Sequence, residues 1–410
     1  MPITGAYENH KQMKKIAIYY WHRDTLGHGI RLSGLAGSLH QLYPKTKIYL
    51  LNGGTDQEFL RFKKYINYFR LPFPASRPQA VRFDAAQERS KAIIKFIEKY
   101  KPDIFITENF PFGNPESFLE LFPVLLYLKK HSVMTYASLG YPYIAKEWLT
   151  RDKECRMLNG FYKKILIHTP EGLENPYVAE MIQDNALKKK YSDIMSAYGH
   201  KTIYTGYVLS DEAKTFTAHK CKKLKKPDQP KRVLVMRGAG AYFPAMISHA
   251  ILAKKILGKQ CSMIIAAGPT TEQRHMNFYS SLIKKHGISG IQLVKYLPLY
   301  CKYLRESDVT CTMAGYNTSV LLMYYRKKSI VIPHEFNHCV CTDQQPRAMM
   351  LKDRLGATII TERTANAENM AAEISRLLKK EESTMQSCDF PSIYFEGGAS
   401  TAKVLMGKNK

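Results

Sequence analysis

Residues 232–244 read RVLVMRGAGAYFP, a short apolar run followed by a turn that contains two glycines. A run of this length predicts one buried strand, and a helix is predicted directly after it. Glycines between a strand and a helix let backbone N–H groups approach a phosphate, and the helix N-terminus adds partial positive charge. We therefore predict that Gly238 and Gly240 contact a diphosphate, with Arg237 as a further cation. A tight turn without a ligand is the alternative.

Strands and helices continue to alternate after this turn. Helices are predicted over 245–257, 271–286 and 299–306 and from about 317 and 343, and strands over 261–269, 291–297, 308–315, 329–335 and 357–362. Strands that alternate with helices indicate a mostly parallel sheet with helices on both faces. The second half of the chain is therefore predicted to be an α/β domain.

The first half of the chain has the same pattern. Residues 15–21, KIAIYYW, predict a strand, and a turn with two glycines then leads into a helix with leucines at spacings of three and four. The small residues Gly34 and Gly37 are expected to let that helix approach a sheet closely. Further strands are predicted over 47–54, 102–110, 131–140 and 163–170.

A lysine-rich segment separates the two halves. Residues 212–231 contain two prolines and lack apolar periodicity, which is typical of a linker. The predicted organisation is an N-terminal domain over 1–211, this linker, a C-terminal domain over 232–385, and a segment over 386–410 that includes a helix returning to the N-terminal domain. Two such domains create a cleft between the carboxyl ends of two sheets, where open α/β folds bind ligands.

A second glycine turn lies in the C-terminal domain, at Ala314-Gly315-Tyr316-Asn317-Thr318. It also follows a predicted strand, and Asn317 or Thr318 is expected to cap the next helix. Since both glycine turns lie at carboxyl ends of strands in one domain, their combination favours phosphate binding over two unrelated turns.

Composition and cysteine spacing restrict the class of protein. Hydrophobic residues make up 45% of the 410, as in an ordinary globular chain, and no apolar run is long enough to cross a bilayer. The start, MPITGAYENHKQMKK, lacks the apolar segment of a secretion signal. Because the eight cysteines form no C-x-x-C pair, a reduced compartment is favoured. We expect a cytoplasmic protein.

The chain is strongly basic, with 61 Lys and Arg against 35 Asp and Glu and a net charge of +26. Such a charge suits polyanions, anionic lipid surfaces or phosphate-rich small substrates, and it also arises from a general lysine bias. Arginine-rich tails, zinc-finger spacings and RNP-type aromatic motifs are absent from the sequence, so a nucleic-acid partner is not favoured.

The stretch PHEFNHC over 333–339 contains His-Glu-x-x-His, the pattern of zinc proteases. That chemistry needs both histidines on one helix and a third ligand further on. Here Pro333 ends the apolar run SIVI, which predicts a strand followed by a loop, and no G-x-x-H follows. We interpret the match as accidental; a zinc ion held by His334, His338, Cys339 and Cys341 is a testable alternative.

Several motifs together resemble a known family. The stretch YYWHRDTLGHGIRLSGLAGSL over 19–39 is similar to the first Gly-His loop of GT-B glycosyltransferases. MAGYNTSVLL over 313–322, SIVIPHE over 329–335 and DQQPRAMMLKDRLGA over 343–357 resemble the donor-binding half of that fold, in the branch that contains the peptidoglycan N-acetylglucosaminyltransferase. PDIFITENF over 102–110 and YTGYV over 204–208 resemble a related bacterial group of predicted glycosyltransferases. The resemblance implies the GT-B fold, with two Rossmann-like domains facing across a cleft.

The resemblance also implies roles for residues of the donor side. Asp343 and Gln344 correspond to an element that touches sugar hydroxyls, and carboxylate and amide groups suit the mixed donors and acceptors of a hexose. The donor set implied is Arg237, Gly238, Gly240, Gly315, Asn317, Thr318, His334, Glu335, Asp343 and Gln344. One position departs from the family, because Leu321 stands where a glutamate usually holds the nucleotide ribose. The identity of the donor is therefore left open.

Glycosyl transfer also needs a group that takes the proton of the acceptor hydroxyl. His28 in the stretch LGHG is the candidate base, with a histidine that only packs in the loop as the alternative. Glu108, after the strand DIFIT, is the second candidate base or an acceptor contact, with a solvent-facing loop acid as the alternative. No metal and no cofactor are predicted, since loop N–H groups and a helix dipole can stabilise the diphosphate.

The predicted function is that of an inverting, metal-independent glycosyltransferase that moves a sugar from a nucleoside-diphosphate sugar, most plausibly a UDP-sugar, to a hydroxyl. The acceptor is expected to be lipid-linked, a cell-surface glycan or a secondary metabolite. The basic surface suggests peripheral binding to the inner face of an anionic membrane. The alternatives are a sugar-nucleotide epimerase or hydrolase on the same fold, and a non-catalytic protein that binds nucleotide sugars or polyanions.

Overall fold

The computed structural model describes residues 13–21, 26–72, 79–113, 115–218, 230–239, 242–334, 343–380 and 390–408, with the side chains of 58, 79–83 and 216–218 excepted. Within them the chain forms two parallel α/β sheets, one in each half. The predicted α/β class with two Rossmann-like domains is therefore confirmed. Among these residues no helix has both the length and the apolar character needed to cross a bilayer.

The N-terminal domain is built on a seven-stranded sheet with the order β3-β2-β1-β4-β5-β6-β7. All of its pairings are parallel, and the buried apolar residues of the strands form its core. Its strands are β1 (Lys15–Tyr20), β2 (Lys47–Asn52), β3 (Ile66–Arg70), β4 (Ile104–Glu108), β5 (Met134–Leu139), β6 (Lys164–Ile167) and β7 (Thr202–Tyr204). Its helices are α1 (Gly27–Leu42), α2 (Gln79–Tyr100), α3 (Ser117–Lys130), α4 (Lys146–Thr150), α5 (Asp152–Leu158), α6 (Asn175–Met181), α7 (Asn185–Tyr198) and α8 (Asp211–Ala218).

The C-terminal domain has a six-stranded parallel sheet with the order β10-β9-β8-β11-β12-β13. Its strands are β8 (Arg232–Met236), β9 (Ser262–Ala266), β10 (Ile291–Val294), β11 (Val309–Thr312), β12 (Ser329–Val331) and β13 (Thr358–Ile359). Its helices are α9 (Ala245–Leu257), α10 (Gln273–Lys285), α11 (Tyr300–Glu306), α12 (Tyr316–Tyr324), α13 (Gln344–Leu355) and α14 (Ala367–Lys379). The sequence analysis did not predict strands β3 and β7 or helices α4–α8, because these elements are short or lack clear periodicity.

The predicted linker begins in a helix. Residues 212–218 belong to α8, and Lys214 of this helix donates through Nζ to the carbonyl oxygen of Gly34 at 2.8 Å. Residues 212–218 therefore belong to a helix that packs on α1, where the absence of apolar periodicity had indicated a linker. Residues 219–229 lie outside the described part of the chain.

The end of the chain returns to the N-terminal domain. Helix α15 (Gly397–Leu405) packs against α1, and a Cβ added at Gly398 would lie 2.3 Å from the Ser38 hydroxyl oxygen. A Cβ at Gly34 would lie 2.2 Å from the Leu209 carbonyl oxygen. The glycines of α1 therefore permit close contact with the returning segments, where we had expected contact with the sheet.

Candidate functional site

A cavity of about 710 Å³ lies between the two domains, at the carboxyl ends of both sheets. Parallel α/β sheets bind ligands at this edge, because loops and helix N-termini converge there. Nine of the described residues predicted from sequence line it, namely His28, Glu108, Arg237, Gly238, Gly315, Asn317, Thr318, Asp343 and Gln344. Residues distributed over more than 300 positions of sequence therefore share one cavity.

On the N-terminal side, His28 and Glu108 form a pair. His28 is the second residue of α1, where a loop was expected, and its Nδ1 lies 3.2 Å from Oε1 of Glu108. Glu108 is the last residue of β4 and is 6% exposed, so it is not a solvent-facing loop acid. Arg31, one turn after His28, forms an ion pair with the same carboxylate oxygen. The Glu108 charge is thus matched by a buried guanidinium.

The environment keeps the His28 imidazole neutral. Burial, and then the nearby charge of Arg31, lowers its pKa to about 3, against a smaller opposing effect of Asp343. Nδ1 also lies 3.4 Å from Nη2 of Arg31, and in the tautomer that we infer it carries the ring proton and donates to Glu108. Nε2, which lies 3.5 Å from the Asn109 amide nitrogen, then carries the lone pair. A neutral imidazole can accept a proton, and the lowered pKa makes it a weaker base than an ordinary histidine.

A chain of buried polar groups continues behind Glu108. Ser138 donates through its hydroxyl to Oε2 of Glu108, and its oxygen lies 2.9 Å from Nε2 of His168. Nδ1 of His168 lies 2.9 Å from the Thr205 hydroxyl. Burial lowers the His168 pKa to about 3. These groups fix the orientation of the Glu108 carboxylate. Ser138 and His168 lie within strands predicted from sequence, where nothing singled them out.

On the C-terminal side, the N-terminus of α12 opens into the cavity. Gly315 is the N-cap residue, and no side chain caps this helix. The expectation that Asn317 or Thr318 caps it was wrong, because the helix begins at Tyr316. Asn317 instead donates through Nδ2 to the carbonyl oxygen of Gly27 at 2.9 Å, which joins the two domains. The uncapped helix end leaves backbone N–H groups and partial positive charge facing the cavity.

The first glycine turn lies on the same side. Gly238 has a φ of +64° and open space where a side chain would stand. Arg237 is buried, and its guanidinium donates to the carbonyl oxygens of Ala267 and Tyr242 and to the Thr271 hydroxyl. This side chain therefore holds the turn in place as well as lining the cavity. Gly240 lies outside the described residues.

Helix α13 brings Asp343 and Gln344 to the cavity. Asp343 is its N-cap residue, and Oε1 of Gln344 accepts from the His334 backbone N–H at 2.9 Å. Arg347, one turn further, is fully buried, and its guanidinium lies over the rings of Tyr141 and Tyr316 at 5.0 and 5.6 Å. Arg347 was absent from the predicted donor set, although it belongs to the same sequence element as Asp343 and Gln344.

His334 has protein partners of its own. Its Nδ1 lies 2.6 Å from Oε1 of Glu362, and its ring stacks on Tyr242 at 4.4 Å. His334 is not among the described residues that line the cavity. Glu335, His338, Cys339 and Cys341 lie outside the described part of the chain. Within that part, no three His, Cys, Asp or Glu side chains are grouped as a metal site would require.

Leu321 lies in the core of the C-terminal domain and is 2% exposed. A carboxylate at this position would face apolar side chains, so the departure from the family pattern is accommodated by packing. The described lining includes Lys295 and Tyr296 on the same side of the cavity, which the sequence did not single out.

Aromatic residues of the N-terminal domain complete the lining. Trp21, Phe110, Tyr141 and Tyr143 face the cavity from the loops that follow β1, β4 and β5. They were missed because aromatic residues after a strand are equally compatible with a packed core. Their positions after strand ends were the available signal.

Comparisons with known proteins agree with this architecture. Residues 232–393 match the model of the glycosyltransferase family 28 C-terminal domain. No curated protein matches the chain. Among solved structures, the glycotransferase of kitacinnamycin is similar with a TM-score of 0.62 and 12% identity, over 97% of this chain and 100% of that one.

Two further solved structures show the range of activities on this architecture. MurG of Acinetobacter baumannii is similar with a TM-score of 0.57 and 14% identity, over 95% of each chain. UDP-GlcNAc 2-epimerase of Neisseria meningitidis, described as bound to UDP-GlcNAc, has a TM-score of 0.63 and 14% identity over 97% of this chain and 100% of that one. At these identities the likeness shows the fold alone.

The chain thus has the GT-B fold. Its C-terminal domain carries the match to glycosyltransferase family 28, which confirms the resemblance noted in the sequence.

Proposed function

We propose that this protein is an inverting, metal-independent glycosyltransferase that transfers a sugar from a nucleoside-diphosphate sugar to a hydroxyl group. One observation carries the proposal: a single cavity joins a neutral histidine on one domain to an uncapped helix N-terminus on the other. The first group can accept a proton, and the second can hold an anion. Both are required where a hydroxyl displaces a diphosphate.

The donor would bind to the C-terminal domain. Its diphosphate fits the N–H groups at the start of α12 and the turn at Gly238, where an added side chain would find open space. These groups stabilise the negative charge that develops on the departing diphosphate, each by a few kcal/mol when the donor is well placed. The sugar would then lie near Asp343 and Gln344. Several GT-B neighbours are described as bound to UDP or UDP-GlcNAc, which supports a UDP-sugar donor.

The acceptor would bind on the N-terminal side. Nε2 of His28 accepts the hydroxyl proton as the oxygen forms its bond to the anomeric carbon and the bond from that carbon to the diphosphate breaks. Glu108 accepts from Nδ1 and so holds the ring in place. Attack from the face opposite the diphosphate inverts the anomeric centre.

The remaining expectations from sequence belong to this proposal. They are the division at 1–211, 212–231, 232–385 and 386–410, a cytoplasmic location, and peripheral binding to an anionic membrane. The net charge of +26 supports the last of these. The donor roles of Gly240, His334 and Glu335 also stay predictions.

An epimerase is the second candidate function, because UDP-GlcNAc 2-epimerases have the same architecture. Epimerisation removes and returns a proton on the sugar, which needs carboxylates or imidazoles beside the sugar ring. Here the Glu108 carboxylate is occupied by Arg31, Ser138 and His28, so it is held for orientation of the imidazole. This arrangement favours transfer over epimerisation.

The test begins with binding. Thermal shifts are measured with UDP, TDP, GDP and their sugars, because a donor stabilises the folded protein by mass action. We expect UDP and a UDP-sugar to raise the melting temperature, and the turnover products to separate the candidates. Transferred sugar supports the proposal, whereas a C2 epimer or free sugar alone supports the alternatives. If no nucleotide shifts the melting temperature, the proposal is overturned.

A further inference from the structure

Four aromatic side chains form a surface on the N-terminal side of the cavity, which we call the aromatic wall: Trp21, Phe110, Tyr141 and Tyr143. They follow β1, β4 and β5, which are neighbours in the sheet. Because the carboxyl ends of neighbouring parallel strands lie at one edge, rings that are distant in sequence come together. Phe110 is 2% exposed and Tyr141 is 6% exposed, while Trp21 and Tyr143 are half-buried.

Two of the four rings of the wall lie nearly parallel to each other. The rings of Tyr141 and Tyr143 are stacked, with centroids 5.5 Å apart and an angle of 14° between their planes. The Arg347 guanidinium covers Tyr141 at 5.0 Å, which fixes the position of that ring. Aromatic surfaces of this kind bind planar groups, since ring contacts add to the burial of apolar area.

The charges around the wall do not favour an anionic ligand. The Arg31 guanidinium is paired with Glu108, and the low pKa of His28 keeps its ring neutral. Glu147, which lines the cavity, is exposed and adds negative charge at its edge. Arg347, which covers Tyr141, lies 3.4 Å from an Asp343 carboxylate oxygen and 3.8 Å from a Glu174 carboxylate oxygen. A phosphorylated or carboxylated group on this side would therefore meet the Glu147 charge and arginines that already have carboxylate partners.

The wall also has an unused hydrogen-bond donor. Nε1 of Trp21 is buried and has no hydrogen-bond partner within the described structure. A buried N–H without a partner is costly, by about 1–3 kcal/mol, so such a group indicates a ligand atom or a water that accepts from it.

We propose that the acceptor carries a flat, uncharged ring system that lies on the aromatic wall, with an oxygen that accepts from Nε1 of Trp21. The acceptor class is thus a phenol or a related planar hydroxyl compound, in preference to a polyprenyl phosphate or a free sugar. The glycosylation of that hydroxyl is the part of this inference that rests on the proposed function. Binding to the wall does not require turnover and is tested separately.

The experiment measures binding by calorimetry on the full chain. The probes are umbelliferone as the planar phenol, farnesyl phosphate as the lipid phosphate, and N-acetylglucosamine as the sugar. We expect umbelliferone to bind at least about tenfold more tightly than the other two, because ring stacking and apolar burial act together. Tighter binding of farnesyl phosphate or of N-acetylglucosamine would overturn the proposal in favour of a lipid or a glycan acceptor.

Variants locate the binding site. Tyr143→Ser removes the outer ring and is expected to weaken umbelliferone about tenfold, whereas Tyr143→Phe keeps the ring and the affinity. Trp21→Phe keeps a ring but removes the N–H, and a loss of about fivefold is expected. The control Phe62→Ser, at a side chain that is 82% exposed, leaves binding unchanged. Equal affinities in Tyr143→Ser and Tyr143→Phe would overturn the proposal.

The two proposals fail in different ways. If umbelliferone binds as expected but no UDP-sugar stabilises the protein, the proposed function is wrong and the aromatic site stands. If a UDP-sugar binds and umbelliferone does not, the proposed function stands and the acceptor class is wrong. UDP binding serves as the folding control for Tyr143→Ser, since the aromatic wall lies on the other domain.

Discussion

The two sides of the cavity differ in the groups that line them. The N-terminal side uses side chains, namely the His28–Glu108–Arg31 network and the aromatic wall. The C-terminal side uses backbone, with the open turn at Gly238 and the uncapped start of α12. Backbone N–H groups suit a diphosphate, which is the same in every nucleotide donor, whereas side chains can differ with the acceptor. We propose that reaction and acceptor choice belong to the first side and donor binding to the second.

The largest expected effect comes from the N-terminal side. His28→Asn removes the group that we propose accepts the proton, so we expect the transfer rate to fall by about a thousandfold. UDP binding should stay unchanged, because the donor contacts lie on the other domain. The exposed residue of the same helix supplies the control, and His40→Asn should keep full activity. Full activity in His28→Asn would show that proton transfer does not occur on this side of the cavity.

A matched pair of variants tests the C-terminal side. Gly315 has a φ of −69° and room for a side chain, so Gly315→Asp and Gly315→Asn both fit and both cap α12. The carboxylate repels a diphosphate, and we expect Gly315→Asp to weaken UDP binding about a hundredfold, with a smaller loss in Gly315→Asn.

The same pair should gain stability as it loses function. An N-cap side chain stabilises a helix by about 1 kcal/mol over residues that cannot cap, and over glycine by a few tenths. Calorimetric titration with UDP and thermal unfolding measure the two quantities. Wild-type UDP affinity in Gly315→Asp would show that the diphosphate does not lie at α12.

The buried histidines of the N-terminal domain should make the protein acid-sensitive. The pKa values of His28 and His168 are lowered to about 3, so between pH 6.5 and 3 the unfolded chain binds protons that the folded chain does not. Stability therefore falls as the pH drops through this window, by about 1.4 kcal/mol per pH unit for each histidine.

Denaturant unfolding as a function of pH measures this slope. His168→Asn removes one of the two groups and should reduce the slope by about 1.4 kcal/mol per pH unit. His200→Asn, at an exposed position, should leave it unchanged. An identical slope in all three proteins would mean that the folded protein protonates its buried histidines readily.

The smallest expected effect concerns the contact between the two sides. Asn317→Ala removes the hydrogen bond to the Gly27 carbonyl oxygen and should cost about 1 kcal/mol of unfolding free energy. The control Asn277→Ala removes an exposed hydrogen bond within α10 and should change stability by less than about 0.5 kcal/mol. Equal effects would show that the Asn317 contact does not couple the domains.

The site residues that were predicted from strand ends lie together in the cavity. Gly238 follows β8, Gly315 follows β11, and Glu108 is the last residue of β4. Parallel pairing brings such strand ends to one edge of a sheet. Arg31 was missed because nothing local to it signals a cavity, whereas Arg347 lies in the quoted element DQQPRAMMLKDRLGA and was left out of the donor set. Each occupies a helix interior, one turn after a predicted residue, where an arginine most often faces solvent.

Helix starts were predicted less well than the elements themselves. The stretch AGYNT predicted Asn317 or Thr318 as the cap of α12, whereas Gly315 is the N-cap residue, a position where glycine is also favoured. The contact of Asn317 with Gly27 is made across 290 positions of sequence, and no local preference includes it. The Leu321 position shows the reverse case, because the sequence alone showed that a carboxylate was missing and the structure supplied its packing.

The sequence by itself determined the alternation of strands and helices, the glycine turns and the GT-B resemblance, because these depend on residues close together along the chain. Only the tertiary structure decided that Arg31 neutralises Glu108, that the His28 ring is neutral, and that four aromatic rings form one wall. Those properties come from burial and from contacts between distant segments. Charge pairing and desolvation act through space, so their effects appear only when the sheets and domains are assembled.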